Sequence, residues 1–217
     1  MVVTKTPLFT AADEAGAPPL RPGVWVMRDP DCTFDETRPM DSWPDCAGGM
    51  VYEGGMALGV SRKDGKLTWK RQPLVIAGGD PRIAQVRFQM NLSSGAGDVK
   101  SGQNTTLFGY AAVRPLKVGP GGKVIAFSYW PVQCGPPPPP PKPNAKPEVA
   151  FQLGTRHPLP GIEMKKGDAL CTTSSVDALR GAAKASEAWR EKEMTAHWAR
   201  APGPGDRPPP GAPVSEE

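Results

Sequence analysis

Histidine is almost missing from this chain: His157 and His197 are the only two in 217 residues. Neither sits in an H-x3-H or H-E-x-x-H spacing, so the helix-borne zinc hydrolases are excluded, and a nucleophile paired with a histidine base has few ways to form. No G-x-S-x-G elbow and no G-x-x-x-x-G-K-[ST] loop occurs, which removes the α/β-hydrolase and P-loop signatures. A carboxylate pair of the glycosidase kind is assembled from distant positions and is not readable from spacing. Long apolar runs are missing too. Nothing approaches eighteen consecutive apolar residues, so no segment reads as a membrane-crossing helix. The formal charge of +4 is spread thinly, with no run of five or more Lys or Arg, and makes no nucleic-acid footprint. The reading therefore assigns no catalytic, cofactor-binding or metal-binding residue, no cofactor and no nucleic-acid partner.

What the chain has in quantity is proline and glycine, 28 and 25 residues. Such a load takes much of a chain out of regular structure. It gathers at the two ends and between Gly135 and Pro147, where six prolines run from Pro136 to Pro141. Successive pyrrolidine rings fix φ and remove donors, so this insert reads as an extended polyproline spacer or as a ligand for an aromatic groove. Residues 1–18 read as an extended tail, 19–200 as one β-rich domain carrying the insert at 135–147, and 201–217 as a disordered tail.

Between the ends, short β-branched and aromatic runs alternate with turn signals about every ten residues. Val24 to Met27 is bounded by Asp29-Pro30, and a second strand begins near Met50. Asp64-Gly65 lies between two strand-like runs and predicts a hairpin. Ile83 to Leu92 alternates with period two, which predicts Val86, Phe88 and Met90 on a buried face and Arg87 and Gln89 outward. Thr105 to Val113 and Lys123 to Trp130 follow, the second a central strand, and weaker strands are read at Val149 to Leu153 and Ile162 to Met164. The fold class is α+β, mainly β: an antiparallel sheet, as a sandwich or partly open barrel, with one C-terminal helix packed on it. That helix reads from Ser174 or Ser175 to about Ala199, its narrow face formed by Ala178, Ala182, Ala185, Trp189 and Ala196.

Four cysteines are present. Pro30-Asp31-Cys32 recurs as Pro44-Asp45-Cys46, and the loop between holds Asp29, Asp31, Asp35, Glu36, Asp41 and Asp45 against the single cation Arg38. Asp29, Asp31, Thr33 and Asp35 have the alternate spacing of a calcium loop, but Phe34 stands where a glycine is needed and Met40 where a bidentate glutamate is needed. The spacing of the cysteines is wrong for a zinc knuckle. Disulfides are the reading taken, Cys32 with Cys46 and Cys134 with Cys171, with buried free thiols as the alternative. Compartment is then pulled two ways. The start MVVTKTPLF lacks a leader's apolar run, as in a cytoplasmic protein, whereas paired cysteines point to the cell envelope or periplasm, which is slightly favoured.

Leu20 to Trp25 (LRPGVW), followed by Cys32 and by WPDCAGG at Trp43 to Gly49, resembles bacterial envelope and lipoprotein-like proteins whose first strand opens Pro-Gly-x-Trp. The resemblance carries no activity and implies only a compartment. The functional expectation is a non-enzymatic, envelope-associated structural or binding protein that meets a protein partner through Asp31, Asp35 and Asp41 of the acidic loop or through the Pro136 to Pro141 stretch. A cytoplasmic or virion-type assembly protein and a small hydrolase are the alternatives.

Overall fold

The structure is a computed structural model describing residues 1–28, 31–63, 66–91, 104–137, 157–164, 170–190 and 193–216. The expected strand at 149–153, the Asp64-Gly65 turn, the turn at 165–168 and most of the polyproline stretch, Pro141 included, lie outside these residues.

Among the described residues, ten strands and one α-helix follow in order: β1 (Val3–Thr4), β2 (Gly23–Arg28), β3 (Gly48–Glu53), β4 (Met56–Lys63), β5 (Lys66–Ala77), β6 (Arg82–Asn91), β7 (Asn104–Val118), β8 (Val124–Pro131), α1 (Val176–Ser186), β9 (Met194–Arg200) and β10 (Val214–Glu216). Consecutive strands from β2 to β8 all pair antiparallel, β2 with β3 across the Cys32 to Cys46 loop. β9 then inserts antiparallel between β2 and β8 and closes an eight-stranded barrel. Closure removes the exposed edges that an open sheet would carry. The β3–β4 register, Glu53 opposite Met56, leaves a two-residue loop whose Gly54 and Gly55 both have positive φ, at 56° and 79°. That is the turn whose twist suits a hairpin, and it selects glycine.

Alternation along every barrel strand sends one set of side chains inward. Trp25, Met50, Tyr52, Ala57, Leu74, Ile76, Ala84, Val113, Phe127 and Ala196 come from all eight strands and form one buried cluster, with Leu20 at one end. Trp25 and Phe127 lie with ring centroids 5.2 Å apart at its centre. Eight strands enclose a space that side chains of this size fill.

The outward faces are also covered, on two sides. Over β5 to β8, Ile83, Tyr110, Ala112, Trp130 and Val132 are buried beneath Val2, Phe9, Leu179, Ala182 and Ala183. Trp130 Nε1 donates to the Ala183 carbonyl at 2.9 Å, and Cys134–Cys171 fastens the same layer. We call this the helix cover. Over β2 to β5, Val24, Val26, Val51, Leu58 and Trp69 are buried beneath Met40 and Trp43 of the Cys32 to Cys46 loop. Val214 of β10 packs there as well. This is the loop cover.

Four expectations change. The helix stops at Ser186 instead of continuing to 199, passing through a 3-10 turn, Glu187–Trp189, before residues 194–200 form β9. Ala196 and Trp198 point inward and His197 outward, a period of two that a helix cannot satisfy and that barrel closure requires. The helix does start where its cap was read, Ser175 Oγ accepting from the Ala178 amide at 3.2 Å, but its buried stripe is Leu179, Ala182, Ala183 and Ser186, with Ala178, Ala185 and Trp189 only half-buried. The 201–217 tail is ordered through Glu216: Asp206 is fully buried and β10 lies parallel to β5 at Trp69–Arg71. Proline content argues against helix and sheet, and it does not prevent a fixed course where a buried carboxylate and a strand edge hold the chain. Finally, β6 is buried most at its start, where Ile83 and Gln85 are covered, while Val86, Phe88 and Met90 are half-buried. Gln85 holds the N-terminal segment, its Oε1 accepting from the Leu8 and Phe9 amides at 2.8 and 2.9 Å. Residues 1–18 run across the barrel, and Val2 and Phe9 belong to its core.

Candidate functional site

The acidic loop is the region where sequence and structure concentrate charge. Cys32–Cys46 closes it, with Cα atoms 5.7 Å apart. A 3-10 turn, Met40–Ser42, drops Met40 and Trp43 onto the barrel. Trp43 Nε1 donates to the Arg38 carbonyl at 2.9 Å. Gly49 of β3 leaves room for the indole: a Cβ there would lie 2.5 Å from a Trp43 ring carbon and 2.8 Å from the Trp25 carbonyl. The Gly48-Gly49 pair is strand backbone under an aromatic ring.

Beneath the loop lies a cluster that spacing did not reveal. Asp206, from the C-terminal segment, accepts from the Met40 amide at 2.9 Å, the Gly203 amide at 2.7 Å and Arg200 Nη2 at 2.8 Å, with Arg200 Nη1 on its second oxygen. Burial alone would raise this carboxyl; the Arg200 guanidinium and the two amides outweigh it and hold the group below the ordinary carboxylate value. Arg200 reaches further, donating to the Arg38 carbonyl at 2.6 Å and the Glu36 carbonyl at 3.2 Å. One β9 cation thus ties the loop and the tail together. Glu36 Oε2 meets His197 Nε2 at 2.7 Å on the outward face of the same strand. Among the described residues no hydroxyl or thiol bonds to His197.

Of the residues singled out for interaction, Asp31 and Asp35 are exposed and Asp41 is half-buried. Asp35 accepts from the Thr37 amide and hydroxyl at 3.0 and 2.6 Å, and these bonds lower its pKa. The main chain of Asp41 is engaged on both sides, its amide donating to the Gly205 carbonyl at 3.1 Å and its carbonyl accepting from Arg62 at 2.9 Å. Asp45 pairs with Arg62 at 3.4 Å. Between loop and β4 a groove of about 160 Å³ is lined by Trp43, Asp45, Val60, Arg62 and Leu67. Pro136 is exposed but follows Cys134 on the helix cover, so the structure does not bring it together with the acidic loop. No group of three or more potential metal ligands occurs among the described residues.

Both cysteine pairs are bonded as the spacing indicated, the second with Cα atoms 5.8 Å apart. Two such bonds indicate an oxidising, extracytoplasmic environment. No helix among the described residues is long and apolar enough to cross a membrane. No family model, characterised protein or solved structure matches this chain.

Proposed function

We propose that the protein is an envelope-associated binding or structural protein that works through its outer surface. The observation that carries this reading is the filled barrel with two fastened covers: the interior is occupied by aromatic and aliphatic side chains. Two cavities among the described residues hold about 40 and 160 Å³, against roughly 300 to 1,000 Å³ for ordinary small-molecule sites. The loop cover leaves Asp31, Asp35 and Asp45 exposed on a scaffold that a disulfide and a buried ion pair keep in one shape. Fixed charges on a rigid loop bind with little ordering cost.

The test is crosslinking in the native source, comparing wild type with Asp31→Asn plus Asp41→Asn and with a deletion of 136–141. Alkylation of the same material reports its thiols. The expected result is no free thiol and a crosslinked partner that weakens in the loop variant. Four alkylatable thiols would overturn the compartment. Turnover of a small substrate by purified wild type, with no change in crosslinks, would overturn the binding role.

A further inference from the structure

The hairpin joining β7 to β8 extends past the barrel. Pairing of β6 with β7 begins at Arg82 opposite Val113, and β9 meets β8 no farther than Ala126 opposite His197. Beyond those points the two strands pair with each other, and past Val124, which is buried and bonded through its amide and carbonyl to Pro19 and Arg21, no other described strand meets them. At the tip, a Cβ added to Gly121 or Gly122 would meet nothing within 4 Å. The ribbon therefore ends in open space.

It is also the most exposed apolar feature among the described residues. Leu116 is 53% exposed and Val118 51%; the third large exposed apolar side chain, Leu67 at 39%, sits at the opposite end of the barrel beside the Arg62–Asp45 pair. Lys117 and Lys123 flank the two, exposed and without a side-chain partner among the described residues. From Val99 to Pro147 the sequence contains no Asp or Glu. Acids at the same end of the barrel are already engaged: Asp80 with Arg114, Glu53 with Arg207, Glu14 with the Ile76 amide and Asp13 with Thr10.

A second copy adding a strand here is disfavoured by the strand itself. Pro115 lacks a donor, the register shifts on both sides of Lys117, and a lysine occupies the edge, all devices that block edge pairing. Two lysines with no exposed aromatic platform are a poor nucleic-acid site. An apolar tip ringed by cations matches the layered chemistry of a lipid headgroup region, anionic outside and apolar beneath. We propose that the β7–β8 tip docks on an anionic phospholipid surface, Leu116 and Val118 entering the headgroup layer while Lys117 and Lys123 meet lipid phosphates. This deepens the envelope reading by naming a surface for it, and it rests on that reading.

Cosedimentation of the full chain with vesicles decides it. With about 30% phosphatidylglycerol in phosphatidylcholine at low salt, binding is expected roughly tenfold tighter than to phosphatidylcholine alone, and it should weaken as added salt shortens the screening length. Lys117→Glu with Lys123→Glu should reduce binding to the neutral-vesicle level. Leu116→Ser with Val118→Ser should weaken it by about tenfold, and Leu67→Ser should leave it unchanged. The lysine and apolar pairs are separate variants, so either one that folds, together with the wild-type salt dependence, is decisive. Equal binding to both vesicle types, no effect of either pair, or binding to a DNA oligonucleotide in place of vesicles would overturn the proposal. Failure of the envelope reading would show separately, as free thiols in the native source.

Discussion

Over β5 to β8 the barrel is sealed by Leu179, Ala182, Ala183 and Phe9 around Trp130, with both cysteines of the 134–171 bridge themselves buried. Over β2 to β5 the seal is Met40 and Trp43, and what holds them is polar: the ion pairs of Asp206 with Arg200 and Asp45 with Arg62, and the Glu36–His197 hydrogen bond. The Cys32–Cys46 disulfide is outside, Cys46 exposed and Cys32 half-buried. The same task, covering an apolar outer wall, is met by contact area on one side and by charge on the other. Contact area responds to volume, whereas charge responds to pH, salt and the loss of a partner. The two covers should therefore fail under different conditions.

The largest contrast comes from truncating each cover. Leu179→Ala should cost about 3 to 4 kcal/mol, because a fully buried side chain under a tight helix leaves a cavity. Phe34→Ala, removing a half-buried ring 5.0 Å from Trp43, should cost about 1 kcal/mol. Urea unfolding measures both, and equal losses would mean the loop cover is packed as tightly as the helix cover. Next is Asp206→Ala, expected to cost about 3 kcal/mol by leaving Arg200 and the Met40 amide without their acceptor. The same residue sets an acid sensitivity. Its folded-state pKa is depressed, so its stabilisation is complete above the unfolded carboxylate value of about 3.9 and is lost as pH falls through the lower folded-state value. Amide exchange at Met40 should accelerate over that range while exchange in α1 does not, and parallel acceleration of both would erase the distinction. The smallest effect is Glu36→Gln, below about 1 kcal/mol, since both it and His197 are roughly 30% exposed and solvent screens the pair. A loss as large as that of Asp206→Ala in thermal unfolding would show that this contact, too, is a principal fastening of the loop.

Local chemistry was legible in the sequence, and closure was not. The β-branched and aromatic run Val24 to Met27, bounded by Asp29-Pro30, marks its element directly, and the cysteine spacing gave the pairing because only one connectivity closes a short loop and ties the end of β8 to the approach to the helix. Residues 194–200 read as helix because Ala196 lies seven residues after Trp189, on the same helical stripe, and only the gap between β2 and β8 decides for strand. The Asp206 cluster was invisible for a related reason. Its partners Met40 and Arg200 come from opposite ends of the chain, and the segment that carries it, PGPGDRPPPG, has the composition of a tail. The outward burial of Gln85 was hidden as well, since alternation marks a strand's faces without telling that a distant segment covers the polar one.

The place of β9 in the ring has a kinetic consequence. Trp25 faces Trp198 across a pairing that joins the beginning of the barrel to nearly the end of the chain, and such remote contacts form slowly because a large loop must close before they contribute. Until residues 194–200 arrive, β2 and β8 are two bare edges of an open sheet whose apolar inner wall is in water. Barrel closure therefore has to wait until residues 194–200 are available to both edges.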